Sequence, residues 1–370
     1  MALTTILQQG RSRVGNSNQE YHPRFFRISN PEEASALEAL LEQNPSIRVF
    51  DALTGQLEEL VKVLHPTRRF TAAQLAEGVS RHLAGVAAEA YGVWVYYPWS
   101  GRVVHILDEK EFIELRTSRN LYKITREERE VLAGQKIGII GLSVGQSIAL
   151  TMAMERTFGE VRLADFDSLE LTNMNRIRTG LHNLGVPKAV IAAREIAEMD
   201  PFLKVNCYLE GISEENIDDF LVKGGKLNIL VDECDSLDVK FLCRHRARAQ
   251  RIPVVMETSD RGMIDIERFD LEPDRPILHG LLPQVDPAEV KAYGGPERLN
   301  LVLAIVGQET MSERARQSMR EIGQTITTWP QLASSVALGG AVGTDVCRRI
   351  SLETIRHSGR YYVDLDEIIG

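Results

Sequence analysis

Residues 135–188 constrain this chain more than any other stretch. Residues 136–140 (KIGII) form a short apolar, β-branched run bounded by glycine, the signature of a buried parallel strand. The turn Gly141-Leu142-Ser143-Val144-Gly145 follows, with Ser143 where a helix N-cap is expected. Length and composition make residues 144–158 helical, and Gly159 is expected to stop that helix. Residues 161–164 read as a second strand tipped by Asp165. Strand, glycine turn, helix and acid-tipped strand in this order describe a nucleotide-binding βαβ unit. The acid follows Gly145 by about 20 residues, the distance at which such a carboxylate meets ribose hydroxyls.

The alternation continues downstream. Helices are expected over 187–199, 213–222 and 237–250, and strands over 204–209, 227–232, 252–256 and 263–269. Such alternation predicts an α/β fold: a doubly wound, Rossmann-like, mostly parallel sheet with its ligand at the strands' carboxyl ends. Beyond residue 270 the pattern loosens into loops, with helices over 299–306, 311–322 and 334–351. The last carries small residues, Ala337, Gly339, Gly340, Ala341 and Gly343, that let backbones approach closely. The chain closes on a strand-like GRYYVDLDEII, an ending that suggests the first part of a longer protein.

Residues 1–110 read as a separate, smaller α+β domain. It has helical spacing over 31–43, 53–64 and 70–88, a capping box at Thr71 and Gln74, and a hairpin in YGVWVYYPWSGRVVHIL. The hairpin's aromatic cluster reads as a packed face. Residues 111–134 form a charged connector, and 135–370 the nucleotide-binding domain with its helical and strand extension.

Charge and composition remove several classes. A net charge of −9 and a pI near 5.5 argue against non-specific binding to nucleic acid or acidic membranes. No run approaches the roughly 18 apolar residues that span a bilayer, and MALTTILQQGRSR lacks a signal peptide's apolar core. The expected location is the cytoplasm. The four cysteines show no paired CxxC spacing, so neither a zinc ribbon nor a redox motif is expected.

The glycine turn has two readings. It matches GxSxG, a nucleophile elbow, which needs a downstream acid and histidine; His279 is the one appealing candidate. That reading leaves Asp165, Asp167 and Asp235 unexplained. In the other, Gly141 and Gly145 let backbone N–H groups approach a phosphate at the helix N-terminus, and Ser143 adds a hydroxyl.

Four motifs in order, carried by three stretches, decide between them: LADFDSLELTNMNR, then GVPK, then LVDECDS. From about residue 119 to 269 the chain resembles the ubiquitin-activating-enzyme-like superfamily, the ThiF/MoeB/HesA adenylyltransferases. The family's D-x-D falls on Asp165 and Asp167, its [ST]-N-[LM]-x-R on Thr172 to Arg176, its G-x-x-K on Gly185 to Lys188, and its later acid on Asp235. The resemblance implies ATP- and Mg²⁺-dependent adenylylation of a carboxylate on a small protein or peptide, in a homodimer. It also implies roles: Arg176 and Lys188 on the phosphates, Asp235 on a transient Mg²⁺, Asp165 on the ribose hydroxyls, Asp167 among the nucleotide-binding residues, and Asn173 on phosphate or orienting Arg176. An arginine from the partner copy would be Arg119, with Arg126 next; a plain surface arginine is the competing reading for either. Lys188 at a helix start opposes the helix dipole, a conflict that an anionic ligand removes. The CxxC pairs of several relatives are missing, and no cysteine lies between Cys243 and Cys347 to serve thioester transfer. The rival readings are a catalytically degenerate peptide-binding module of the same fold and an NAD(P)-dependent oxidoreductase.

Overall fold

The computed structural model describes residues 19–282 and 287–370. The N-terminal MALTTILQQGRSR stretch, and residues 283–286 of the loop-rich segment, lie outside the described residues. The chain divides into two compact units, one reaching to Arg126 together with Ala197–Phe202, the other Glu127–Ile196 with Leu203–Gly370.

The first unit holds strands β1 (Arg24–Phe26), β2 (Arg48–Asp51), β3 (Val93–Tyr97) and β4 (Arg102–Ile106) in the order β1-β3-β4-β2. Its helices are α1 (Pro31–Gln43), α2 (Leu53–Leu64), α3 (Ala72–Leu83) and α4 (Glu109–Arg116). The hairpin forms as its alternation dictates: Val93, Val95 and Tyr97 are buried, while Trp94 stacks on buried His105 at 4.0 Å. The expected capping box is made, Thr71 Oγ1 accepting from the Gln74 N–H and Gln74 Oε1 from the Thr71 N–H. Leu53, Leu57 and Leu60 of α2 close a core with Leu107.

The second unit begins within α5 (Arg126–Ala133) and is built on β5 (Lys136–Ile140), β6 (Glu160–Ala164), β7 (Lys204–Tyr208), β8 (Ile229–Asp232), β9 (Val254–Thr258), β10 (Met263–Glu267) and β11 (Gly359–Tyr362). The helices are α6 (Gly145–Glu155), α7 (Lys188–Met199), α8 (Ile217–Val222), α9 (Leu237–Ala249), α10 (Pro287–Ala292), α11 (Gly295–Val306), α12 (Glu313–Glu321), α13 (Ala333–Ser351) and α14 (Leu365–Ile369). The sheet order is β11-β10-β9-β8-β5-β6-β7; β7, β6, β5, β8 and β9 are parallel, and β10 and β11 run antiparallel at one edge. This is the doubly wound, mostly parallel sheet that the alternation predicts.

Close helix packing explains the small residues of α13. A Cβ on Gly340 would collide with Ser147 of α6, and one on Gly343 would come within 3.0 Å of Ile148 Cδ1. The Arg348–Glu155 ion pair keeps the same register, so α6 and α13 run parallel. Three local expectations shift. Helix α6 ends at Glu155 with Arg156 in the left-handed region (φ 58°), and Gly159 instead serves a close approach, because its Cβ would strike the Ala133 carbonyl. Helix α8 starts only at Ile217, since the Asn216 side chain turns back to accept from the Ser213 N–H. The final apolar segment splits into β11 and α14, which Asp364 caps by accepting from the Asp366 N–H.

Beneath the sheet's carboxyl end lies a buried charge cluster. Asp232 receives Lys240 Nζ at 2.9 Å and Arg244 Nη1, while Arg244 Nε donates to Glu267 Oε2 at 2.7 Å. Lys240 and Arg244 hold the Asp232 carboxyl well below the usual carboxylate range, against the burial that opposes its charge. Replacing Arg244, fully buried, by methionine leaves Glu267 without its cation and Asp232 with Lys240 alone. Such a loss costs about 3–5 kcal/mol. Urea denaturation of Arg244→Met followed by circular dichroism is expected to show a loss of this size; an unchanged midpoint would mean the acids find another partner.

Candidate nucleotide-binding site

The strand order reverses between β5 and β8, and at such a switch point the loops after the two strands leave a crevice. Here the two loops touch. Gly141 has φ +86°, donates its N–H to the Ala164 carbonyl at 2.9 Å, and leaves no room for a Cβ, which would lie 2.5 Å from the Glu233 carbonyl oxygen. A Cβ on Gly145 would lie 2.7 Å from Ile139 Cγ2. Both glycines are therefore required by the protein's own packing, whatever ligand approaches. Ser143, expected as the N-cap of α6, is not one: Val144 takes that place with no side-chain cap, and Ser143 Oγ accepts from Lys188 Nζ at 3.2 Å.

Asp165 ties the turn to the next loop. Its Oδ2 accepts from the Leu142 N–H at 2.7 Å and its Oδ1 from the Asp167 N–H at 2.8 Å. Burial pushes this carboxyl up, with Lys188 and the two N–H groups pulling the other way. Asp167 is half-exposed and receives Lys188 Nζ at 2.8 Å, although the lysine itself is buried. A short backbone ladder clamps these motifs together: Lys188 N–H to Asp167 O, Leu169 N–H to Val186 O and Gly185 N–H to Leu169 O, each 2.9 Å. Gly185 at φ +81° makes the turn into that ladder. The D-x-D and G-x-x-K motifs thus meet, and residues 170–184 loop out between them as a closed excursion.

Arg176 rides on that excursion. Its Nη1 donates to Asn175 Oδ1 at 2.9 Å and to the Thr172 carbonyl at 3.4 Å, and its buried Nε has no partner among the described residues. Burial draws its pKa down, and the Asp235 carboxylate opposes that shift. Asn173 shapes the loop instead of pointing free, its Oδ1 accepting from the Glu170 N–H at 3.0 Å. Asp235, in the loop after β8, is exposed. Arg119 is exposed on the one-turn segment Ser118–Asn120 of the first unit, and Arg126 pairs with Glu114 at 2.7 Å. The elbow reading finds no support in geometry: Ser143 meets a lysine, while His279 bonds Asp265 at 2.9 Å and Arg275 at 2.7 Å.

Residues 116–321 of the chain match the ThiF family. The chain belongs to the ThiF family. Among similar proteins, "Uncharacterized protein MT1398" of Mycobacterium tuberculosis (strain CDC 1551 / Oshkosh) is 44% identical over 272 residues, covering 74% of this chain and 38% of that protein. The tRNA threonylcarbamoyladenosine dehydratase of Bacillus subtilis (strain 168) is 25% identical over 42% of this chain and 60% of its own length. The adenylyltransferase and sulfurtransferase UBA4 of Yarrowia lipolytica (strain CLIB 122 / E 150) is 24% identical over 49% of this chain and 44% of its own. The chain therefore spans 38–60% of the length of these relatives.

This ThiF chain also carries an acidic pair that its motifs do not announce. Glu233 Oε1 accepts from the backbone N–H of Glu257 at 2.9 Å, and both carboxylate oxygens of the buried Glu257 lack a hydrogen-bond partner among the described residues. Gly339 of α13 lies directly on that carboxyl, where a Cβ would collide with it. Burial and the neighbouring Glu257 raise Glu233 well above its ordinary range, and burial lifts Glu257 to about 8. A glutamate after an apolar run (VVME) gives no sequence signal of this; the packing of α13 creates it. With a folded-state pKa above the ordinary 4.5, the folded chain holds this proton more tightly than the unfolded chain. Its stabilising contribution is complete below 4.5 and is lost as pH rises through about 8. Glu257→Gln is expected to flatten the decline in thermal stability between pH 5 and pH 8; parallel wild-type and variant profiles would refute the assignment.

Proposed function

We propose that this chain binds Mg-ATP and adenylylates a carboxylate on a small protein or peptide, releasing pyrophosphate. The observation that carries the reading is the cation pair at the switch point: Lys188 is buried against the turn, and Arg176 keeps a buried Nε without an acceptor. A buried guanidinium nitrogen left unpaired is costly, and an oxyanion relieves that cost. Membership in the ThiF family and the adenylyltransferase activity named for the Yarrowia relative support the same chemistry.

The carboxylate oxygen attacks the α-phosphorus, the P–O bond to the β-phosphate breaks, and both electrons leave with pyrophosphate. An anion attacking a polyanion needs cations already in place as the bond forms. Lys188 supplies a point charge beside the turn, and Arg176 a planar fork on the excursion. Asp165 keeps the turn in shape, since both its oxygens are engaged by backbone N–H groups, and the half-exposed Asp167 is the acid positioned to meet ribose hydroxyls or to release Lys188. A Mg²⁺ arriving with the nucleotide would take the exposed Asp235 as its protein ligand. The ion would neutralise phosphate charge.

A homodimer in which Arg119 reaches the partner copy's phosphates, with residues 1–110 as an accessory domain, 111–134 as connector and 135–370 as the adenylation domain, completes the proposal. A cytoplasmic setting suits it; no helix among the described residues is long and apolar enough to cross a membrane. One observation favours the binding-module alternative: the packing demands on Gly141 and Gly145 account for both glycines without a phosphate.

Calorimetric titration with Mg-ATP is expected to show binding by wild type and at least tenfold weaker binding by Lys188→Ala, about 1.4 kcal/mol. Pyrophosphate exchange then separates turnover from binding alone. A folded wild type that ignores Mg-ATP and takes up NADH would overturn the assignment in favour of an oxidoreductase.

A further inference from the structure

A shallow cleft, open to solvent and enclosing only about 20 Å³, lies along α6, between that helix, the end of the excursion and the first turns of α13. Gln146, Ser147 and Thr151 of α6, Ala337 of α13, and Arg176 with Arg178 of the excursion line it. The excursion is held in place there, because Asn175 Nδ2 donates to the Gln331 carbonyl at 2.7 Å just ahead of α13.

The charge in this cleft is not neutralised. Arg178 is exposed and forms no ion pair or hydrogen bond among the described residues, and Arg176 bonds only neutral oxygens and leaves Nε unpaired. The acid that acts on Arg176 from the facing loop is Asp235, and Glu195 beside the cleft accepts from Gln146 at 3.5 Å. Two guanidinium groups without a bonded carboxylate are conspicuous in a chain with 52 acids against 43 lysines and arginines. Helices α6 and α13 run parallel, so both positive helix ends lie at the same end as the cleft. Lys188 takes no part in the lining.

We infer that this cleft extends the oxyanion site beyond the Lys188 cradle, Arg178 joining the free Nε of Arg176 to grip a phosphate or carboxylate group. Its meaning rests on the adenylylation reading, where two groups have that chemistry: the nucleotide's terminal phosphates and the acyl substrate's carboxylate. Arg178 is then a specificity residue of the site.

The test titrates the full chain with inorganic pyrophosphate and, separately, with succinate as a bare carboxylate probe, in wild type, Arg178→Ala and Lys188→Ala. Arg178 is exposed, so its loss leaves the fold intact. At least tenfold weaker binding of one probe by Arg178→Ala is expected. Loss confined to pyrophosphate assigns the subsite to the polyphosphate, and loss confined to succinate assigns it to the acyl carboxylate. Anion binding that responds only to Lys188→Ala, or no binding of either probe by wild type, overturns the inference. Mg-ATP binding that persists alongside a silent Arg178→Ala sinks the subsite and leaves the nucleotide reading standing; the converse result sinks only the nucleotide reading.

Discussion

The site depends on the contact between the Gly141 turn and the Glu233 carbonyl. Two backbone segments, one after β5 and one after β8, approach closer than any side chain allows. That approach fixes where α6 begins and where the loop bearing Asp235 must run. The parallel pairing of β5 with both β6 and β8 brings the strand ends level, so the acids and glycines at those ends gather in one place. The turn's glycines serve this closeness first, and any phosphate would use a shape the fold already needs.

Charge is then distributed at two depths. Below, Asp232, Lys240, Arg244 and Glu267 neutralise one another out of reach of water, and they hold the end of β8 to α9 and β10. Above, Lys188 leans on Asp167, and Arg176 and Arg178 stay without bonded acids at the surface of the crevice. Buried pairs are costly to break, whereas under-neutralised cations near the surface are available to an anion. The Glu233–Glu257 contact, with both carboxyls raised by burial, links the loop after β8 to the end of β9 that Gly339 of α13 covers.

Much of the fold was legible. Alternating apolar runs with turn residues between them marked the strands of both units, the Thr71 capping box and the hairpin, because periodicity and capping are local. The ordered motifs also marked a meeting point, since D-x-D and G-x-x-K sit where a strand ends and a helix begins and the two are bonded there. Ser143 was misread as a cap because its hydroxyl's partner, Lys188, lies 45 residues away. Gly159 was misread as a helix stop because its neighbour, the Ala133 carbonyl, belongs to another segment's end.

The sequence by itself determined the class of fold, the order of elements and the family, for these follow from local pattern and from spacing along the chain. Only the tertiary structure decided which acids are engaged and which are exposed: Asp165 spent on backbone N–H groups, Asp232 locked in ion pairs, Asp235 left to solvent. It also decided that Arg178 shares a cleft with Arg176 and that Glu257 lies under Gly339. The physical reason is that burial and pairing depend on what packs against a side chain from distant segments, and no local stretch of sequence encodes that neighbour.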